Sequence, residues 1–316
     1  MVTKEQVEQK NIQLQKELAL IDKNIISRFP LSDYLKAIKS NKRLGKLLQF
    51  YRVRKLKRTF EQIASQYGTH ALSLYLKLAL CRFIRDSLER LGTKKLPDEI
   101  QHLYHEWFEW VLEDFSKEPD EYYDYRCKPF FSDVMVCSLR YIPIGGAWIV
   151  EIRNVGLRPF FAGGVRQFFS YLSFIIFRAQ GFSPYVTTHT VERGLHNFNE
   201  LQMNLTYLRI AELMKLNPQI KGYYRRSWFL DPKLEDISPR LGYLRKIPLQ
   251  NGAKLFAAGS TKKDIEYALA VSRTRRRLYK EGKYIPTTYA YIWPRKEFLF
   301  FGTKRQSGDK LMPDEK

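Results

Sequence analysis

Beyond Pro184 the sequence alternates between two periods, and this constrains the fold more than any other feature of the chain. β-rich runs at 185–191, 223–230, 254–258 and 286–293 are separated by stretches at 199–216, 239–247 and 262–281 whose apolar residues keep helical spacing. Such alternation builds a largely parallel sheet, because a parallel neighbour is reached only by a crossover long enough to hold a helix. A closing run at 298–301, and an upstream pair at 134–142 and 147–155 joined by Pro143-Ile-Gly-Gly146, read as hairpins that add antiparallel strands at the ends. The expectation is an α/β chain, α+β overall, with a mixed sheet flanked by helices.

Within this region lies Gly222-Tyr-Tyr-Arg-Arg-Ser-Trp-Phe-Leu-Asp-Pro232, an aromatic strand that stops at Asp231-Pro232. The helix after it has Ser238-Pro239 in the order that suits an N-cap and a first helical position. Corners of this kind gather ligand-binding residues in α/β sheets, which makes Arg226, Ser227 and Trp228 candidate substrate-binding positions.

The first 118 residues read as helical. Val7, Leu14, Leu18, Ile21 and Ile25 give 4–28 an amphipathic pattern that ends at Phe29-Pro30. The run 39–58 is basic, with leucines at helical spacing, and its Arg52, Arg54, Lys55, Lys57 and Arg58 are candidate nucleic-acid contacts. Ala64 and Gly68 have the spacing of a helix-turn-helix, yet 70–80 is almost wholly apolar, whereas a helix that reads bases needs polar side chains; an ordinary helical hairpin is expected. On the helix at 97–115, His102 and Glu106, or His105 and Glu109, have the spacing of paired metal ligands. No Cys or Asp cluster answers them elsewhere, and no metal is expected. The composition turns acidic and aromatic around Pro119, placing a division between a helical domain, 1–118, and an α/β domain, 119–302, with a polar, disordered tail at 303–316.

Lys and Arg outnumber Asp and Glu by 54 to 33, a formal net charge of +21, so the field around the chain attracts anions: nucleic acid, acidic lipid surfaces or phosphorylated small molecules. Cys81, Cys127 and Cys137 form no C-x-x-C pair, which argues against a disulfide framework and for a reducing, cytoplasmic setting. The N-terminus has no signal-like apolar core. The run 168–177 is broken by Ser170 and Ser173 and is about half the ~20 residues a spanning helix needs, so integral membrane insertion is not expected.

His189, in Thr187-Thr188-His189-Thr190 near a strand end, is a candidate general base, with Glu192, Arg193 and His196 just after it. Asp231 ends the next strand, where a parallel sheet would bring it alongside to orient the imidazole. The alternatives are a packed histidine and an Asp-Pro turn former. Ser227 has no G-x-S-x-G elbow, and the pairs Gly145-Gly146 and Gly163-Gly164 belong to neither a P-loop nor a dinucleotide fingerprint.

The strand at 254–258, the helix at 262–281 ending Arg277-Leu-Tyr-Lys-Glu-Gly-Lys-Tyr284, and the closing strands resemble the last part of GNAT-type acyltransferases, over about 220–302. The resemblance implies an acyl-CoA donor and a tyrosine, here Tyr279, as general acid toward the departing thiolate. The family's Gly-rich pyrophosphate loop has no counterpart in 231–244, where Gly242 is the only glycine. The functional expectation is therefore an acyltransferase-like enzyme with a cleft at the strand ends formed by His189, Asp231 and Tyr279. The alternatives are a non-enzymatic nucleic-acid-binding protein that uses the basic runs at 39–58 and 273–277, and an interaction module working through the N-terminal helices.

Overall fold

The computed structural model describes residues 1–40 and 54–306 of the 316-residue chain. The chain is α/β, α+β overall, with long N-terminal helices and a six-stranded mixed sheet. The helices are α1 (Lys4–Ile21), α2 (Ile25–Arg28), α3 (Leu31–Ser40), α4 (Arg54–Arg90), α5 (Asp98–Lys117) and α6 (Lys128–Cys137). After the hairpin β1 (Ile142–Gly145) and β2 (Trp148–Arg153) come α7 (Arg158–Ala162), α8 (Gly164–Ser173) and a π-helical turn at Phe174–Arg178. The order continues β3 (Tyr185–Thr190), α9 (Glu200–Leu216), β4 (Gly222–Ser227), α10 (Leu234–Ile237), α11 (Tyr243–Gln250), β5 (Lys254–Ala257), α12 (Lys262–Ala270), α13 (Arg273–Lys280), β6 (Tyr289–Pro294) and α14 (Arg295–Gln306). Strand order in the sheet is β1-β2-β3-β4-β6-β5.

The chain forms two compact units. The first takes Met1–Glu151 and His189–His196, the second Ile152–Thr188 and Asn197–Lys316. The first unit thus runs past Pro119, where the composition changes, to the second strand of the hairpin.

In the first unit, a capping box opens α1: Gln6 N–H donates to the Thr3 hydroxyl and the Gln6 side chain accepts from Thr3 N–H. Its Val7, Leu14 and Leu18 lie on one face and are buried against α4. Gly68 (φ 88°, ψ 169°) breaks α4, and from Ala71 to Cys81 every residue beyond the break is buried. A helix covered on all sides offers nothing to a DNA groove; it is the hub on which α1, α3 and α6 pack. Even Lys77 is taken inside, its ammonium donating to Phe115 O at 3.1 Å and lying 4.4 Å from the centre of the Tyr123 ring. Ile100, Tyr104, Trp107, Phe108, Val111 and Phe115 form the buried stripe of α5. Residues 134–137, expected as strand, instead finish α6. They are buried without interruption, and such a run carries neither period.

In the second unit β3 and β4 are parallel, joined by the crossover helix α9, whose N-cap Asn199 accepts from Gln202 N–H. The register pairs Val186 with Tyr223, and the neighbouring bonds come from side chains: Thr187 donates to Tyr224 O at 2.9 Å, and the Thr188 and Tyr223 hydroxyls lie 2.6 Å apart. β6 runs antiparallel between β4 and β5. Tyr207 of α9 sits edge-on to Tyr223, Trp293, Phe298 and Phe301, which fills the space between helix and sheet. The expected closing strand at 298–301 is helix: Phe298 and Phe301 are buried while Phe300 is exposed, the three-residue spacing of a helix face. Residues 303–306, expected in the tail, end this helix, and 307–316 lie outside the described residues.

Candidate active site

The segment that follows β3 carries most of the chemistry of the first unit. It is held by close backbone contact with the β1–β2 hairpin, whose turn has positive φ at Gly145 (87°) and Gly146 (59°), a conformation glycine adopts without strain. Val191 N–H donates to Ala147 O at 3.0 Å, and a Cβ on Gly194 would stand 2.0 Å from Gly146 O. Only glycine at 194 allows that approach. The segment is thereby fixed with His189 and Arg193 a few residues apart.

His189 Nε2 lies 3.0 Å from Glu151 Oε2, and its ring stacks on Tyr141 at 5.0 Å and 16°. The carboxylate accepts, so the hydrogen of the neutral ring sits on Nε2 and Nδ1 keeps a lone pair. Nδ1 has no hydrogen-bond partner among the described residues, and about a third of the side chain is exposed. An oriented, accessible imidazole of this kind can take up a proton. Near the same carboxylate, burial pulls the Arg140 guanidinium down while Glu151 opposes the shift.

Arg193 enters a cavity of about 350 Å³ lined by Trp107, Asp114, Glu118, Tyr122, Lys128, Asp133 and Glu192, among others. At its floor Asp133 of α6 is buried, accepting from Trp107 Nε1 at 3.0 Å and from the Tyr122 hydroxyl at 2.5 Å. Arg193 Nη2 donates to Asp114 at 2.5 Å and reaches Asp133 Oδ1 at 3.5 Å, its guanidinium 5.6 Å from the Trp107 ring and 5.8 Å from Trp110. Burial pushes the Asp133 carboxyl up from its usual 3.8 to about 6, although Arg193, Tyr122 and Trp107 pull the other way. Burial works against the charge on Arg193, but Asp133 and Asp114 outweigh it and raise its pKa. A carboxyl that titrates near neutrality inside a cavity is a feature of acid–base sites and equally of buried ion-pair staples.

The residues expected at the β4 corner lie in the second unit. Asp231 is buried with three donors on its oxygens: Lys233 N–H to Oδ1 at 3.1 Å, and Thr287 N–H and the Tyr284 hydroxyl to Oδ2 at 3.0 and 3.2 Å. The carboxylate on His189 is therefore that of Glu151, and Asp231 clamps the end of β4 to the chain that leads into β6. Tyr284, not Tyr279, is its tyrosine partner; Tyr279 is exposed near the end of α13. Ser227 accepts from Phe229 N–H as the cap of a short 3-10 turn. Arg226 donates to Asp264 at 2.7 Å and to Gly259 O at 3.2 Å. Trp228 lies under the buried Arg275, 4.6 Å from ring centre to guanidinium, so the basic run at 273–277 has one of its cations turned inward while Arg273, Arg276 and Arg277 are exposed.

Of the basic run at 39–58, Lys57 and Arg58 are exposed on α4, with Lys57 3.5 Å from Glu61. Arg54 and Lys55 begin that helix, and their side chains lie outside the described residues, as does Arg52 altogether. His102 Nε2 and Glu106 Oε1 lie 3.3 Å apart on the exposed side of α5. Among the described residues no three His, Cys, Asp or Glu side chains are grouped to hold a metal ion, and no helix is long and apolar enough to cross a membrane.

No family model, no curated protein and no solved structure matches this chain.

The sequence reading missed Glu151, Asp133 and Trp107. A signal for Asp133 existed: it is the one acid in Phe130-Phe-Ser-Asp-Val-Met-Val136, and an acid set in an apolar run is either exposed at a break or buried with partners. Glu151 carries no comparable mark, because alternation places many acids on strands.

Proposed function

We propose that the chain is an acyltransferase-type enzyme that uses a thioester donor of the acyl-CoA kind, with His189 as general base. The observation that carries this reading is the His189–Glu151 pair: a partly exposed imidazole at the end of a strand, oriented by a carboxylate through Nε2, with Nδ1 free of partners among the described residues. In the reaction Nδ1 removes the proton of the acceptor as its lone pair attacks the thioester carbonyl. The C–S bond breaks, the thiolate departs, and the proton leaves with it as the free thiol. Tyr279, exposed near the end of α13, is the tyrosine to which the family resemblance gives the acid role. Four carboxylates line the cavity, Asp114, Glu118, Asp133 and Glu192, against two cations, Lys128 and Arg193, which suits an amine as acceptor.

Release of free thiol from acetyl-CoA and longer acyl-CoAs, measured over a panel of amines, tests the reading. His189→Ala is expected to lower turnover by about 10²–10⁴-fold with little change in melting temperature, and Glu151→Gln by less. A wild-type chain that turns over no donor with any amine rejects the proposal.

A second reading, a non-enzymatic nucleic-acid-binding protein, draws support from the exposed Lys57, Arg58, Arg273, Arg276 and Arg277 and from the net charge of +21. Replacing Arg52, Arg54, Lys55, Lys57 and Arg58 by Gln should then flatten the salt dependence of polyanion binding. An unchanged slope removes that run as the binding face.

A further inference from the structure

The segment 157–182 of the second unit has two apolar faces, and only one of them is covered. The inner face is fixed to the sheet: Phe160, Tyr171, Ile175 and Ala179 are buried in one cluster with Phe256 and Ile292. Polar bonds lock its position. The Gln167 side chain donates to Pro159 O at 2.6 Å and Ala257 O at 2.8 Å and accepts from Ala257 N–H at 2.9 Å, while the Tyr171 hydroxyl donates to Gly156 O at 2.8 Å.

Other apolar side chains of the segment face solvent. Phe161 is 78% exposed, Val165 73%, Phe169 62% and Phe177 78%, with Ile176 beside them. Val165 and Phe169 lie one helical turn apart on α8, where a surface helix ordinarily carries polar residues, and Phe161 of α7 is joined to them through Phe168, whose ring centre is 6.5 Å from that of Phe161 and 5.3 Å from that of Phe169. Contiguous exposed apolar surface of this kind marks an interaction site.

Charge selects the partner. From Leu157 to Pro184 the chain has no Asp or Glu, and its charged residues are Arg158, Arg166 and Arg178, all exposed. Arg178 is paired with Glu297 at 2.6 Å and Arg158 lies 3.9 Å from Asp264, whereas the exposed Arg166 has no ion pair among the described residues. Phenylalanines that can enter the acyl boundary beside Arg166 at headgroup level, with the nearby acids Glu297 and Asp264 met by Arg178 and Arg158, are the pattern of a helix that lies in an interface plane.

We propose that α7, α8 and the π-helical turn after them form a docking face for an anionic lipid bilayer, on which the segment lies flat without crossing. The rigid inner face means that the binding surface is present before contact and needs no folding on the membrane. The inference is independent of the acyl-transfer reading, since no residue of the His189 pair or of the cavity takes part.

Co-sedimentation of the full chain with vesicles tests it, using phosphatidylcholine alone and phosphatidylcholine containing a third of phosphatidylglycerol. Binding is expected to the anionic vesicles and to weaken at high salt. Phe161→Ser, Phe169→Ser and Phe177→Ser should each lower partitioning by roughly tenfold, because each removes an insertable ring. Their exposed side chains leave the core untouched, so an unchanged circular-dichroism spectrum is expected. Arg166→Gln should weaken binding to anionic vesicles alone. Equal binding to both vesicles, full binding by the triple serine variant, binding of RNA without binding of vesicles, or a lipid-free dimer that the triple variant abolishes would each overturn the proposal.

Discussion

Replacing Arg193 by Gln tests whether the cavity floor is a charged assembly with a pH-dependent strength. The guanidinium faces Asp114 and Asp133, whose side chains are 14% and 3% exposed, so the substitution leaves two poorly solvated carboxylates without their cation. Breaking a buried pair in this way costs about 3–5 kcal/mol, and the partial exposure of Arg193 points to the lower end. The pH dependence follows from Asp133. Its folded pKa is raised, from 3.8 to about 6, so its contribution to stability is fully present below about pH 3.8 and is lost as pH rises through about 6. The shift corresponds to roughly 3 kcal/mol, and Arg193 keeps that loss from being larger. At pH 8 the variant should therefore lose about 3 kcal/mol relative to wild type. At pH 4.5, where Asp133 is mostly protonated in both proteins, the difference should shrink to about 1 kcal/mol. Urea unfolding at the two pH values, followed through tryptophan fluorescence, measures this, with Trp107 and Trp110 beside the substituted residue. Comparing variant with wild type at each pH cancels the acid effects of the carboxylates that do not meet Arg193. Asp133→Asn in the Arg193→Gln background should restore part of the loss at pH 8. A difference that is the same at both pH values, or below about 1 kcal/mol at pH 8, would refute the electrostatic argument.

Three further outcomes follow from single contacts. Gly194→Ala places a Cβ 2.0 Å from Gly146 O, so thermal unfolding should show a loss of about 2–4 kcal/mol; a neutral result means that the segment and the hairpin do not touch. Asp231→Ala strips the acceptor from Tyr284, Thr287 and Lys233 and should cost about 2–4 kcal/mol in urea unfolding, whereas Tyr279→Phe, at an exposed hydroxyl, should change stability by less than about 0.5 kcal/mol. If acyl transfer is detected, Glu151→Gln should lower kcat with little change in KM, because the carboxylate orients the base without touching substrate; an unchanged kcat would separate Glu151 from the base.

How much of the fold could be read from the chain depended on whether a stretch had one face or two. α9 was legible from its periodic apolar residues, and β4 from its dense aromatics, because each packs in a way its pattern describes. The run Phe298-Leu-Phe-Phe301 was not, since four apolar residues in a row fit a strand or a helix alike; only the exposure of Phe300 between buried Phe298 and Phe301 decides for the helix. The same ambiguity hid the end of α6, where Val134, Met135 and Val136 are all buried. The run 168–177 was read against the length of a membrane span, and its sequence does not show which of two apolar faces meets the sheet and which meets solvent.

The site divides along a similar line, between pairs set by one element and pairs set by topology. His189 stood out because a histidine at a strand end is chemically conspicuous, and in the structure a carboxylate meets its ring. The identity of that carboxylate was not legible. Reading successive strands as neighbours made Asp231 the partner, yet Asp231 is consumed by Lys233, Thr287 and Tyr284, and the imidazole is met by Glu151. Which acid reaches His189 was settled by the hold of 191–194 on the β1–β2 hairpin, through Val191 N–H and the close approach of Gly194. That hold depends on glycines at 145, 146 and 194; the first two read in sequence as a turn and as a pair outside any phosphate loop, and Gly194 had no reading of its own. Their role is geometric: they bring the end of β3 against the strand that carries Glu151, and they set Arg193 over Trp107 and beside Asp133. A substitution at any of the three should therefore disturb the base and the cavity together, although none of them touches a reacting atom.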